Sequence, residues 1–140
     1  MSGKTEILAK SDKYFVDDNF EAVITYVPLP DEVVPEKHFH TDATHVYQIP
    51  PDARIDPIVL AEELTTRFEG LHVVVLVPGR EFDEAGTRHG RGGGWYDRFL
   101  SAVPREWHRV GLCFDHQFSK TPLAREPWDE PVDEVRVVYT

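Results

Sequence analysis

The sequence predicts an α/β domain organised on a parallel sheet, and three observations carry that expectation. Residues 71–77 (LHVVVLV) form a nearly unbroken apolar run of strand length, typical of a strand covered on both faces. A helical repeat of apolar residues precedes that run. After it come a glycine-rich loop, a second helical pattern and a further strand ending at residue 114. That last succession is a βαβ unit, whose crossover sets its two strands parallel. With 140 residues, the chain is expected to form one domain that buries a core without disulfides.

The elements follow in order. Residues 1–19 are polar and carry Lys4, Lys10 and Lys13, so a loose arm is expected there, with a short turn of helix around Glu6 to Lys10. Residues 21–27 (EAVITYV) are β-rich and end at Pro28, which predicts a buried strand. The rigid loop 28–32 (PLPDE) then stands at that strand's carboxyl end, where open α/β sheets bind ligands. Residues 44–49 read as a short strand closed by Pro50 and Pro51. Asp56 and Pro57 are an N-cap and a first-turn proline. Leu60, Leu64 and Phe68 repeat at i, i+4, i+8, and Gly70 stops the helix. Tyr96, Phe99, Leu100 and Val103 carry the next helical face, over residues 95–103. Residues 109–114 (RVGLCF) and 134–139 (EVRVVY) are strands, separated by a polar loop over 115–131.

Composition excludes several classes. A net charge of −10 argues against nucleic-acid binding, because phosphate backbones require a basic face. The single cysteine, Cys113, cannot form an intramolecular disulfide, and its apolar flanks predict a structural thiol. No apolar run approaches the ~20 residues of a membrane span and the N-terminus lacks a secretory h-region, so a cytoplasmic protein without a membrane partner is expected. His38, His40 and His45 make an H-x-H-x4-H pattern that could hold a metal, but no cysteine lies nearby; they are read as surface or strand histidines.

Residues 86–100 (GTRHGRGGGWYDRFL) carry the most chemistry. Four of the nine glycines, Gly90 and Gly92 to Gly94, fall within five positions and open a helix. Such a loop can gather backbone N–H groups into an anion-binding concavity at the positive end of the helix dipole. Arg88 and Arg91 add bidentate donors suited to phosphate, and no acid interrupts residues 86–94. The competing account is a flexible surface turn before an amphipathic helix.

These residues resemble the signature of the 5-formyltetrahydrofolate cyclo-ligases. The block 77–83 (VPGREFD) followed by 86–100 is similar to the family's V-P-G-x-x-F-D, x-x-G, x-R-x-G-x-G-x-G-Y-Y-D-R-F-L. Downstream, Gly111, Leu112, Phe114 and Gln117 fit G-L-A-F-x-x-Q, and Trp128-Asp129 with Val132, Asp133 and Val135 fits H-D-x-x-V-D-x-V. Upstream, Tyr26, Val27 and Glu32 resemble the family's strand-plus-glutamate element. The resemblance is convincing over residues 71–138, with a weaker patch at 22–33.

The resemblance implies a single three-layer α/β domain over residues 1–140, with a mostly parallel or mixed sheet. It also implies an ATP- and Mg2+-dependent ligase of one-carbon metabolism that closes 5-formyltetrahydrofolate, or a related reduced folate, to 5,10-methenyltetrahydrofolate. In that reaction the formyl oxygen takes the γ-phosphoryl group, N10 attacks the activated carbon and phosphate leaves, so the protein supplies positioning and charge. Carried onto this chain, Arg88, Gly90, Arg91, Gly92, Gly93 and Gly94 would cradle ATP phosphates. Trp95 and Tyr96 would border both ligands, with Trp95 replacing the usual tyrosine. Asp97 and Asp129 would hold Mg2+; each alone also reads as an ordinary first-turn or loop acid. Val27 and Glu32 would meet the folate, a solvent-facing loop glutamate being the competing reading of Glu32. Arg91 and Tyr96 are the candidate catalytic side chains. Family members begin with a helix bearing a basic residue and an arginine four positions on, whereas the first arginine here is Arg54. A non-catalytic nucleotide- or anion-binding paralogue is therefore the alternative, and a hydrolase or transferase using the nest on another phosphorylated substrate is a third. Oligomeric state is left open.

Overall fold

The computed structural model describes residues 4–7, 15–16, 19–52 and 54–140. In chain order the elements are β1 (Lys4–Ile7), β2 (Phe15–Val16), β3 (Ala22–Tyr26), α1 (Pro35–His38), β4 (Phe39–His40), β5 (His45–Ile49) and α2 (Pro57–Arg67). Then follow β6 (Val73–Val77), β7 (Glu81–Asp83), β8 (Arg88–His89), α3 (Trp95–Ala102), β9 (His108–Phe114), β10 (Phe118–Ser119) and β11 (Glu134–Val138). Six strands make the main sheet in the order β1-β11-β9-β6-β3-β5, and every pairing within it is parallel. Of the mostly parallel and mixed sheets expected, the structure takes the parallel one. The antiparallel β7–β8 hairpin, with β10 beside β7, forms a separate small sheet, and β2 pairs with β4.

Period-two alternation divides the core between the two faces of the sheet. Ala22, Ile24, Val73, Val75 and Val77 face the helix layer, where Leu60, Ala61 and Leu64 of α2 and Phe99 and Leu100 of α3 meet them. Val23, Val74, Leu76, Val110 and Leu112 face the other way, onto Val33 and Phe39 beside α1. The third layer is thus thin: one turn of helix and its flanking chain.

Local signals set the helices. Asp56 caps α2 by accepting from the Ile58 and Val59 amides at 2.9 and 3.2 Å, as an N-cap should. The sheet also departs from expectation at its edge. Lys4–Ile7 pairs in parallel with β11 as a strand, where a loose arm or a helical turn was expected. Phe15–Val16, within the same expected arm, pairs as β2 with β4, and residues 1–3, 8–14 and 17–18 lie outside the described residues. In the segment expected to be a polar loop, a 3-10 turn (Asp115–Gln117) and β10 interrupt the chain.

Connections leave β3 toward one edge of the sheet and β6 toward the other, so the switch point falls between these neighbours. At such a point the loops diverge and leave a crevice at the carboxyl ends of the strands.

Candidate functional site

A cleft of about 720 Å³ opens there. Its walls come from the loops after β3, β5 and β6, the glycine loop, the first turn of α3, and the segment at 128–129. The candidate nest, metal and folate residues all line this one cleft: Val27, Glu32, Arg88, Gly90, Arg91, Gly92, Gly93, Gly94, Trp95, Tyr96, Asp97 and Asp129.

The wall after β3 is pinned from several sides. Tyr26 donates its hydroxyl to the Val33 carbonyl at 2.8 Å, and Glu32 Oε1 accepts the Leu29 amide at 2.9 Å. Gln117 spans to it from the far end of β9, accepting the Phe114 amide and donating to the Asp31 carbonyl at 3.0 Å. The Glu32 side chain is only 6% exposed, which overturns the solvent-facing reading of this glutamate. Its Oε2 accepts from Arg91, whose Nη2 lies 3.3 Å away and also donates to Asp31 Oδ1 at 2.7 Å. That hydrogen bond from Arg91 holds the Asp31 carboxyl below the usual carboxylate range.

In the glycine loop, Gly92 and Gly94 have φ of 96° and 69°, the left-handed region that side chains disfavour. Gly94 is the N-cap of α3, and no side chain caps the first-turn amides. These amides are left for a ligand or water, at the positive end of the helix. Gly90 serves packing instead: a Cβ there would lie 2.7 Å from Arg88 Nη2. Gly93 has neither constraint, so the structure shows no requirement for glycine at that position.

Arg88 is buried on β8. Its Nε donates to the Pro78 carbonyl at 2.6 Å, and its guanidinium carbon sits 5.1 Å from the centre of the Tyr96 ring. Burial depresses its pKa, against the pull of Asp97 and Tyr96. Among the described residues no acceptor bonds its two Nη groups, so a buried cation presents spare donors to the cleft. Burial pushes the Tyr96 phenol well above its usual range despite Arg88, so it stays protonated. Trp95 donates its indole N–H to the Ile55 carbonyl at 2.8 Å and stacks on Phe99, which anchors the helix start against the loop before α2.

Asp97, in the first turn of α3, accepts the Glu130 amide at 3.0 Å and lies within hydrogen-bonding reach of Asp129. Burial raises the Asp97 pKa, with Asp129 adding to the rise against the Glu130 amide and Arg88. Asp129 in turn accepts the Glu126 amide at 2.8 Å. Two adjacent carboxylates that no lysine or arginine pairs among the described residues are the donor set Mg2+ uses when waters and phosphates complete its octahedron. The residues present therefore fit that ion. His38, His40 and His45 lie on α1, β4 and β5, away from the cleft lining.

Sequence reasoning assigned no role to Tyr26, Asp52, Arg80 or Trp128, which also line the cleft. Trp128 is 67% exposed at its rim, and an exposed indole beside a candidate ligand acid was a usable signal.

By fold and site this is a parallel α/β domain of the kind that seats a small ligand at the carboxyl ends of its strands. The chain belongs to the 5-formyltetrahydrofolate cyclo-ligase family, whose profile matches residues 54–138. That span contains the nest, α3 and both aspartates; Val27 and Glu32 precede it. Over 58 residues the chain is 33% identical to a 5-formyltetrahydrofolate cyclo-ligase of Mycoplasma genitalium, a match covering 41% of this chain and 34% of that protein. Over 77 residues it is 30% identical to the cyclo-ligase of Mycoplasma pneumoniae, covering 54% of this chain and 46% of that one. The matched spans are thus between a third and a half of these relatives' length. The fold is similar to that of a 5,10-methenyltetrahydrofolate synthetase from Mycoplasma pneumoniae, with a TM-score of 0.52, 18% identity, and coverage of 83% and 72% of the two chains.

Proposed function

We propose that this chain closes 5-formyltetrahydrofolate, or a related reduced folate, to 5,10-methenyltetrahydrofolate with ATP and Mg2+. One observation carries the reading: the phosphate-type nest, the carboxylate pair and the wall of Val27 and Glu32 face a single cleft. Bound Mg-ATP would supply the phosphoryl group that makes the formyl oxygen a leaving group. The chain's own residues bind and orient. Arg88 and the first-turn amides of α3 hold phosphate oxygens, and Asp97 and Asp129 hold Mg2+. Tyr96 donates as a neutral phenol, and Arg91 brings charge from the glycine loop. Val27, Glu32 and Trp95 border the folate. Preorganised donors of this kind stabilise developing charge without reorganising during the reaction.

One observation favours a second reading, a non-catalytic nucleotide-binding member. Arg91 is already engaged by Asp31 and Glu32, so this cation of the nest must leave its partners to meet phosphate. A single assay separates the two: purified chain, 5-formyltetrahydrofolate and Mg-ATP, followed by the absorbance of the methenyl product. Turnover is expected; nucleotide binding without turnover would sink the enzyme reading.

A further inference from the structure

Arg109 lies near the amino end of β9, with 1% of its side chain exposed. Its Nη1 donates to Glu130 Oε1 at 2.9 Å and to the Pro131 carbonyl at 3.2 Å. Its Nη2 donates to the Leu100 carbonyl at 2.8 Å. Leu100 is one turn along α3 from Asp97, and Glu130 follows Asp129 directly. One guanidinium therefore ties the helix that carries the first aspartate to the loop that carries the second. The Glu130 amide completes the tie by donating to Asp97.

The arrangement answers a physical problem. Two carboxylates side by side repel each other, so bonds from the surrounding fold must hold the helix end and the loop together. A rigid fork with several donors suits that task, because it fixes direction as well as distance. Stability alone is a poor account of this arginine. Its Nε is buried with no partner among the described residues, and an apolar side chain would fill the space without an unpaired donor.

We propose that Arg109 is the positioning residue of the Asp97–Asp129 pair: by clamping α3 to residues 130–131 it holds the two carboxylates side by side, as a shared divalent cation would require. The proposal rests on reading that pair as the cation site. Outer-shell partners of metal ligands change affinity by about 10- to 100-fold when altered.

The test uses R109K, which keeps the charge but cannot serve three acceptors as a fork, and E130A, which removes the side-chain half of the tie to the loop and leaves the arginine in place. Two readouts are taken on the full chain: amide hydrogen exchange, and Mn2+ binding in the presence of ADP by electron paramagnetic resonance. In both variants the backbone amide of residue 130 is expected to exchange about tenfold faster or more relative to its intrinsic rate, while β9 and β11 amides keep their protection. Mn2+ affinity falls about tenfold or more. Wild-type exchange at Glu130 with wild-type Mn2+ affinity in either variant overturns the proposal. So does a uniform loss of protection across the sheet, which marks a general stabiliser. D97N separates the two levels. If it binds Mn2+ like the wild type, the cation reading falls, and exchange at Glu130 still decides whether Arg109 docks the loop.

Discussion

Arg91 shows how one side chain can serve two walls. It is 36% exposed and reaches across the cleft mouth to Asp31 and Glu32, so anionic ligand and acidic wall compete for the same guanidinium. Exposed ion pairs are worth only about 0.2–1 kcal/mol, which a phosphate can outweigh. Asp31→Asn should therefore tighten nucleotide binding, by up to about fivefold, in a calorimetric titration at constant salt. An unchanged or weaker affinity would show that the pair does not oppose the ligand. Arg91→Ala and Asp97→Asn should weaken Mg-ATP binding while the melting temperature stays nearly constant; a variant that mainly loses stability marks a structural residue. At this scale the nest was legible, because glycines before a helix act through their own backbone. The burial of Glu32 was not, since its partner Arg91 is 59 residues away in sequence.

At the scale of elements, close approach and strand-to-strand ion pairs decide stability. Gly111 on β9 lies under the buried Phe82 ring of β7, and a Cβ there would collide with it. Gly111→Ala should destabilise the chain by about 1–3 kcal/mol in denaturant unfolding, as overpacking does. The bases of β9 and β11 are joined by His108, whose Nε2 lies 2.6 Å from Glu134 Oε1, with Asp133 and Arg136 nearby. The hydrogen bond to Glu134 raises the His108 pKa above 6.5 against the effects of burial and Arg136. A raised folded-state pKa means the contact contributes fully below pH 6.5 and fades as pH rises through the raised value. The stability advantage of the wild type over His108→Gln should accordingly shrink as pH rises above 6.5; an advantage that grows with pH would contradict this assignment. The cap of α2 and the strands β3 and β6 could be read from sequence, because apolar spacing and capping are local. The β7–β8 hairpin and β10 could not, since strands of two or three residues carry no period. Strand β1 escaped notice for a related reason: its polar sequence makes sense only beside β11.

For the whole molecule, a ligand that binds only the folded state stabilises it by mass action. Mg-ATP at about a hundred times its Kd should add about 2.7 kcal/mol, several degrees in Tm, and EDTA should remove the metal-dependent part. Asp97→Asn should abolish that metal-dependent rise; a full rise in this variant would place the ion elsewhere. Cys113 belongs to this scale as well. Burial pushes its thiol up to about 12, so it is a core residue and no nucleophile. No helix among the described residues is long and apolar enough to cross a membrane.

Sequence by itself determined the α/β class, the extents of α2 and α3 to within a residue or two, the glycine loop and its arginines, and the family resemblance. Each of these rests on information held within one turn, one strand or one loop. Tertiary structure decided that the sheet is parallel throughout and that twelve scattered residues share one cleft. It also decided that Glu32 is buried against Arg91 and that Arg109 clamps α3 to the Asp129 loop. The reason is physical: these are contacts between segments far apart in the chain, and no local propensity encodes which segments the sheet will bring together.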